Sequence, residues 1–108
     1  MPLSDLTEAE LKIVQRCLDA VADGKFFEDW EFHTLFGVDR EVVRQVAKQF
    51  PLVDEFDESE GGNDDSWLVI NNTFANLIGY PHRKDAELAH WVSASKGQVE
   101  EVFRKWRG

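Results

Sequence analysis

The sequence has a single cysteine, Cys17, so no intrachain disulfide can form. Nothing in the chain therefore calls for an oxidising compartment. No apolar run approaches the roughly 20 residues needed to cross a bilayer. The opening MPLSDLTEAE has no basic stretch followed by an apolar one, so a secretory leader is not expected. These absences point to a cytoplasmic protein that makes no use of a membrane. Internal repeats and long linkers are missing too. Basic residues are outnumbered, with 12 Lys and Arg against 21 Asp and Glu and a net charge of −9. Nucleic-acid binding normally needs a basic face to displace counterions from phosphates, so nucleic acid is not the expected partner.

What is present suits one globular domain spanning residues 1–108. The chain is 43% apolar and 12% aromatic, with four Trp and eight Phe. Each buried aromatic removes roughly 150–250 Å² from water, enough for a core that needs no covalent staple. The charge is unevenly placed: −4 over residues 1–50, −7 over 51–66 and +2 over 67–108. The middle segment holds Asp54, Glu55, Asp57, Glu58, Glu60, Asp64 and Asp65 without a base, around Gly61-Gly62-Asn63. Mutual repulsion and glycine predict a flexible acidic loop. Arg104, Lys105 and Arg107 near the C-terminus are candidates to neutralise part of it internally.

Helical spacing dominates the remainder. Thr7-Glu8-Ala9-Glu10 is a capping box with Leu6 as a staple, followed by a stripe of Leu11, Val14, Leu18 and Val21. Ile13, Cys17 and Ala20 widen that stripe, and Gly24 reads as a left-handed stop, giving a helix over 8–23. Asp29 is positioned to cap a short aromatic helix ending at Gly37. Asp39 then caps a helix with Val42, Val43, Val46, Ala47 and Phe50 inward, stopped by Pro51. The run Trp67 to Ile70 fits either strand or helix. The helical reading places Trp67, Ile70, Phe74 and Leu77 on one face and is preferred. Residues 84–93 predict a helix with Leu88, Trp91 and Val92 inward. Ser95 to Gln98 is a second capping box, opening a helix with Val99, Val102, Phe103 and Trp106 inward. The expected fold is all-α, with five or six short helices around an aromatic-rich centre and the acidic loop between the third and fourth.

Several features suggest chemistry, and each has a plainer explanation. Residues 30–50 have the apolar and glycine spacing of a helix-turn-helix, with Arg40, Arg44 and Lys48 on the second helix. Against DNA reading stand the bulky His33, the acids Asp39 and Glu41 at the start of that helix, and the overall charge. An ordinary helical hairpin is preferred. Asp57, Ser59, Gly61, Gly62, Asn63 and Asp65 imitate part of a calcium loop, but Leu68 falls where a bidentate Glu is required. His33, His82 and His90 have no metal-ligand spacing, and His33 reads as packed among aromatics. Cys17 reads as inert packing. Asn71, Asn72 and Asn76 would form a polar binding face with Tyr80 and His82, or serve as caps or exposed polar groups.

No catalytic, cofactor or metal-binding residue is assigned, because no phosphate loop, nucleophile elbow or positioned acid–base pair is recognisable. The leading expectation is a small acidic, non-enzymatic protein-binding module that inhibits or neutralises a basic partner. Its expected binding residues are Trp30 and the seven loop acids. The alternatives are a DNA-binding regulator using residues 30–50 and an enzyme or metal protein using His33 or His82.

Overall fold

A computed structural model describes residues 3–24, 26–52, 66–79 and 83–107. After a 3-10 turn at Leu3–Asp5, the described residues form six α-helices and no strand. They are α1 (Glu8–Asp23), α2 (Asp29–Phe36), α3 (Arg40–Gln49), α4 (Ser66–Gly79), α5 (Asp85–Val92) and α6 (Lys96–Arg107). The all-α expectation holds, and Trp67 to Ile70 are helical. The acidic stretch lies between α3 and α4, and its residues 53–65 fall outside the described residues.

Local chemistry sets the ends of the two longest-range anchors, α1 and α6. At α1, Glu10 N–H donates to Thr7 Oγ1 (3.2 Å) and Thr7 N–H donates to Glu10 Oε1 (2.8 Å). At α6, Gln98 N–H donates to Ser95 Oγ (3.2 Å) and Ser95 N–H donates to Gln98 Oε1 (2.8 Å). Each box satisfies helix-end N–H groups that have no intrahelical acceptor. Lys105 Nζ then joins the two helices by donating to Glu10 Oε1 at 2.7 Å. This bond, followed by that from the Thr7 backbone, holds the Glu10 carboxyl below its ordinary value. A depressed carboxyl stabilises the fold fully above its unfolded value, and the contribution is lost as pH falls through the folded value. Glu10→Gln is therefore expected to narrow the stability difference between pH 7 and pH 3, as measured by urea midpoints at each pH.

Two glycines end helices for different reasons. Gly37, expected only to end α2, takes the left-handed conformation (φ 74°). Gly24 does not: it is extended, with φ −79° and ψ 171°. A Cβ there would meet Ala20 O at 2.4 Å and the Phe26 ring at 2.9 Å, so close approach, not handedness, selects glycine. Short helices also start or stop a residue away from the expected position. Glu28, not Asp29, occupies the N-cap of α2, and α5 is one residue shorter at each end than 84–93.

One continuous core runs through all six helices. Val14, Cys17, Leu18 and Val21 of α1 are buried, while Leu11 and Ile13 only lean against the core. The ring contacts among the described residues include two groups within that core. Phe32 stacks on Phe36 (4.4 Å between ring centroids), and Phe27 meets Phe36 edge-on at 5.1 Å. The second cluster joins α4 to α6, where Phe74 stacks on Phe103 at 5.1 Å and Trp106 approaches Trp67 at 6.2 Å. Trp91 departs from expectation, being 36% exposed. On a helix of eight residues Leu88 and Val92, one turn apart, occupy the face toward the core and leave Trp91 at its edge. Burial pushes the Cys17 thiol up to about 12, which leaves it without thiolate character near neutral pH.

Two polar side chains, Ser66 and Thr73, are buried among the described residues, and only Thr73 has an unsatisfied hydroxyl there. Thr73 in α4 is 1% exposed, and its hydroxyl has no hydrogen-bond partner. Burying an unsatisfied hydroxyl costs on the order of 1–3 kcal/mol. The isosteric Thr73→Val is expected to leave stability unchanged or raise it by up to about 1–2 kcal/mol. Chemical denaturation checks this, and a clear loss would mean the hydroxyl does have a partner. No helix among the described residues is long and apolar enough to cross a membrane.

Candidate functional site

Two features of the α1–α2–α3 end stand out, an exposed tryptophan and a charged cleft. Both follow from how α2 is held. Phe32 and Phe36, one turn apart, face the core, so the opposite side carries Trp30, His33 and Thr34 outward. Trp30 is 80% exposed, and His33 is exposed beside it in the helical register. The expectation that His33 packs among aromatics is thus incorrect: it sits next to Phe32 in sequence but about 100° around the helix from it. Glu28 and Asp29 are exposed at the start of α2, and Glu31 is half-buried. The Asp29 side chain is 94% exposed.

The cleft, with a volume of about 490 Å³, lies between the end of α1 and the starts of α2, α3 and α5. Arg40 forms its floor. Its Nη1 donates to Val21 O (2.9 Å), its Nη2 to Phe27 O (2.8 Å) and Asp29 Oδ1 (2.9 Å), and its Nε to Asp29 Oδ1 (3.2 Å). The same guanidinium stacks over the Phe32 ring at 4.4 Å from its centroid. Arg44, one turn on, donates to Ala22 O (3.1 Å), Asp23 (3.3 Å) and Glu41 (2.6 Å). The hydrogen bonds it donates to Glu41 and then Asp23 hold its guanidinium above the ordinary arginine value. The last carbonyls of α1 have no intrahelical donor, and cations suit the negative end of its dipole. The two arginines meet both needs. The described lining residues are charged or apolar and include no histidine, cysteine or hydroxyl-bearing side chain.

Two of the three asparagines of α4, Asn72 and Asn76, join side chain to backbone across helices. Asn72 Nδ2 donates to Phe36 O (2.8 Å), and Asn76 Nδ2 donates to Leu35 O (2.9 Å) and Asn72 O (2.8 Å). They cap the C-terminal end of α2. Asn71 accepts from Arg107, whose guanidinium also lies 5.8 Å from the Trp67 ring and 5.9 Å from Phe103. Two further basic residues of α6 pair with described acids, Arg104 with Glu100 and Lys105 with Glu10; the acidic segment they were expected to neutralise lies outside the described residues.

Of the expected binding residues, Trp30 is at the surface as anticipated. Asp54, Glu55, Asp57, Glu58, Glu60, Asp64 and Asp65 lie outside the described residues, as do Tyr80, His82 and the calcium-like segment up to Asp65. Among the described residues no group of three His, Cys, Asp or Glu is arranged to hold a metal ion. Sequence reading allowed Asn72 and Asn76 as caps without naming the helix end they serve, and missed the roles of Arg40 and Arg44. The available signal was spacing: each pair is one helical turn apart, and so can reach consecutive carbonyls of a neighbouring helix end. Comparison of the chain with protein-family models, curated proteins and solved structures gives no match.

Proposed function

We propose that this chain is a non-enzymatic protein-binding module for a partner with a basic surface, and that Trp30 on α2 is its anchor. The observation that carries the reading is a tryptophan 80% exposed on a well-pinned helix. A large apolar ring left in water gains most from burial against a partner, and Trp is enriched among residues that dominate binding energy. The charge supports the choice of partner. Glu28, Asp29 and Glu31 surround Trp30 in sequence, and residues 51–66 add seven acids and no base to the net negative charge. Such a field speeds encounter with a basic protein and repels an acidic one. Inhibition or neutralisation of that partner in the cytoplasm is the fitting role.

The DNA-binding alternative gains no support from two of the three cations it needs, Lys48 alone being exposed. Arg40 and Arg44 reach back to α1, so phosphate contact would compete with bonds that hold the helix end. An enzyme or metal site using His33 draws nothing from its surroundings, since it is exposed and distant in register from the charged cleft.

Affinity capture tests the proposal, comparing wild type with Trp30→Ala and with a variant whose loop acids are changed to Asn and Gln. Wild type is expected to retain a basic protein, with retention falling as salt rises. Trp30→Ala is expected to lose at least tenfold in retained partner. Equal capture by wild type and both variants would overturn the proposal.

A further inference from the structure

Resting on the reading of Trp30 as the anchor for a basic partner, we infer that His33 makes this contact pH-sensitive, holding the partner near pH 7.5 and releasing it near pH 5.5. The placement follows from the helix. Trp30 and His33 are three residues apart in α2, so their side chains lie on one face, one turn above the other. Both are exposed, the tryptophan by 80%. A partner that buries the indole therefore meets the imidazole as well. A neutral imidazole adds apolar surface to that contact. An imidazolium sets a positive charge against a partner selected for its own positive charge, and closing the contact removes the water that would screen the two. It also offsets the negative charge of Glu28, Asp29 and Glu31, which steers a basic protein to this helix.

The surroundings of His33 add no second group of its kind. On α2 itself, Glu28 is at the N-cap, Asp29 is engaged by Arg40, and Glu31 is half-buried. From α3, Arg40 lies over Phe32, while Glu41 and Arg44 pair with each other and Arg44 also reaches Asp23 of α1. Lys48 is in the last turn of α3, about two turns beyond Arg40. The helix α4, which meets α2 through Asn72 and Asn76, has no ionisable residue in its sequence SWLVINNTFANLIG. Histidine is the side chain whose ordinary titration falls between pH 5 and 8, whereas carboxylates and lysines ordinarily titrate outside that range. His33 is therefore the group beside Trp30 that switches its charge there.

The test uses a peptide of alternating lysine and leucine, blocked at both ends, which has no group titrating between pH 5 and 8. Its affinity for the full chain is measured by calorimetry at low salt, at pH 7.5 and at pH 5.5. The indole N–H signal of Trp30, assigned by its loss in Trp30→Phe, locates the contact by NMR, and the remaining indole signals report that the fold is unchanged. Wild type is expected to bind about fivefold more weakly at pH 5.5, the effect of one like charge added at a contact. His33→Gln is expected to bind within about twofold at the two pH values, and His33→Lys to bind at pH 7.5 as weakly as wild type does at pH 5.5. The double variant His82→Gln, His90→Gln is expected to keep the wild-type dependence. An equal fall in wild type and His33→Gln would overturn the inference, as would wild-type binding that does not weaken at all. The anchor reading fails separately. If the peptide does not bind at pH 7.5, or Trp30→Ala binds it there as wild type does, Trp30 is not the anchor and both readings fall. If Trp30→Ala loses the peptide while His33→Gln keeps the pH dependence, only the role of His33 falls.

Discussion

Arg40→Ala is expected to destabilise the fold by about 2–4 kcal/mol, as measured by urea denaturation at neutral pH. The visible ion pair is not the source of this effect. Asp29 is almost fully exposed, and exposed pairs contribute about 0–1 kcal/mol. The larger part comes from two backbone carbonyls, Val21 O at the end of α1 and Phe27 O in the connection to α2. A charged donor to such an acceptor contributes about 1.5–3 kcal/mol, reduced here because the cleft admits water to both carbonyls when the arginine is gone. The side chain is only 21% exposed, so its stacking on Phe32 is lost as well. Arg40→Lys is expected to recover less than half of the loss, since one ammonium cannot reach acceptors in three directions while lying flat on a ring. Asp29→Asn is expected to cost less than about 1 kcal/mol. If Asp29→Asn cost as much as Arg40→Ala, the ion pair and not the carbonyl capping would be the controlling interaction.

That contrast also explains which parts of the structure can be read from sequence. Thr7 to Glu10 and Ser95 to Gln98 close boxes between residues three apart, so the whole interaction lies within four letters. The stripes of α1, α4 and α6 repeat over several turns and identify their buried faces in the same way. In α2 and α5, each of eight residues, two buried positions are too few to define a face, and His33 and Trp91 fall on the wrong side of it. Long-range capping leaves at most a one-turn spacing between the donors, which does not name the carbonyls they reach. Arg40 is separated from Val21 by 19 positions and Asn76 from Leu35 by 41. Nothing near an arginine in sequence tells whether its guanidinium meets a phosphate or a helix end, which is why Arg40 and Arg44 suit a DNA-reading helix until the fold is known. Trp30 could be singled out because its acidic neighbours make burial at that position unfavourable, an argument that needs only adjacent residues.

Phe36→Ala is expected to cost about 3–5 kcal/mol, the range for removing a fully buried aromatic ring. Phe36 has no exposed surface, and its ring is held between Phe32 and Phe27. Its carbonyl receives Asn72, and Gly37, which follows it, turns left-handed so close to Leu68 that a Cβ would lie 3.3 Å from that side chain. The ring, the asparagine caps and the turn all act on the same end of α2. An isolated helix of eight residues has little stability in water, so α2 keeps its shape only while docked. Its outward face, with Trp30, depends on that docking. The two substitutions should therefore separate stability from binding. Trp30→Ala is expected to shift the urea midpoint little, within about 0.5 kcal/mol, while removing partner capture. Phe36→Ala is expected to lower the midpoint sharply and to weaken capture at temperatures where α2 undocks, with capture recovering on cooling. A Phe36→Ala protein within about 1 kcal/mol of wild type would show that the asparagine caps and the Gly37 turn, not the aromatic stack, hold the helix that carries Trp30.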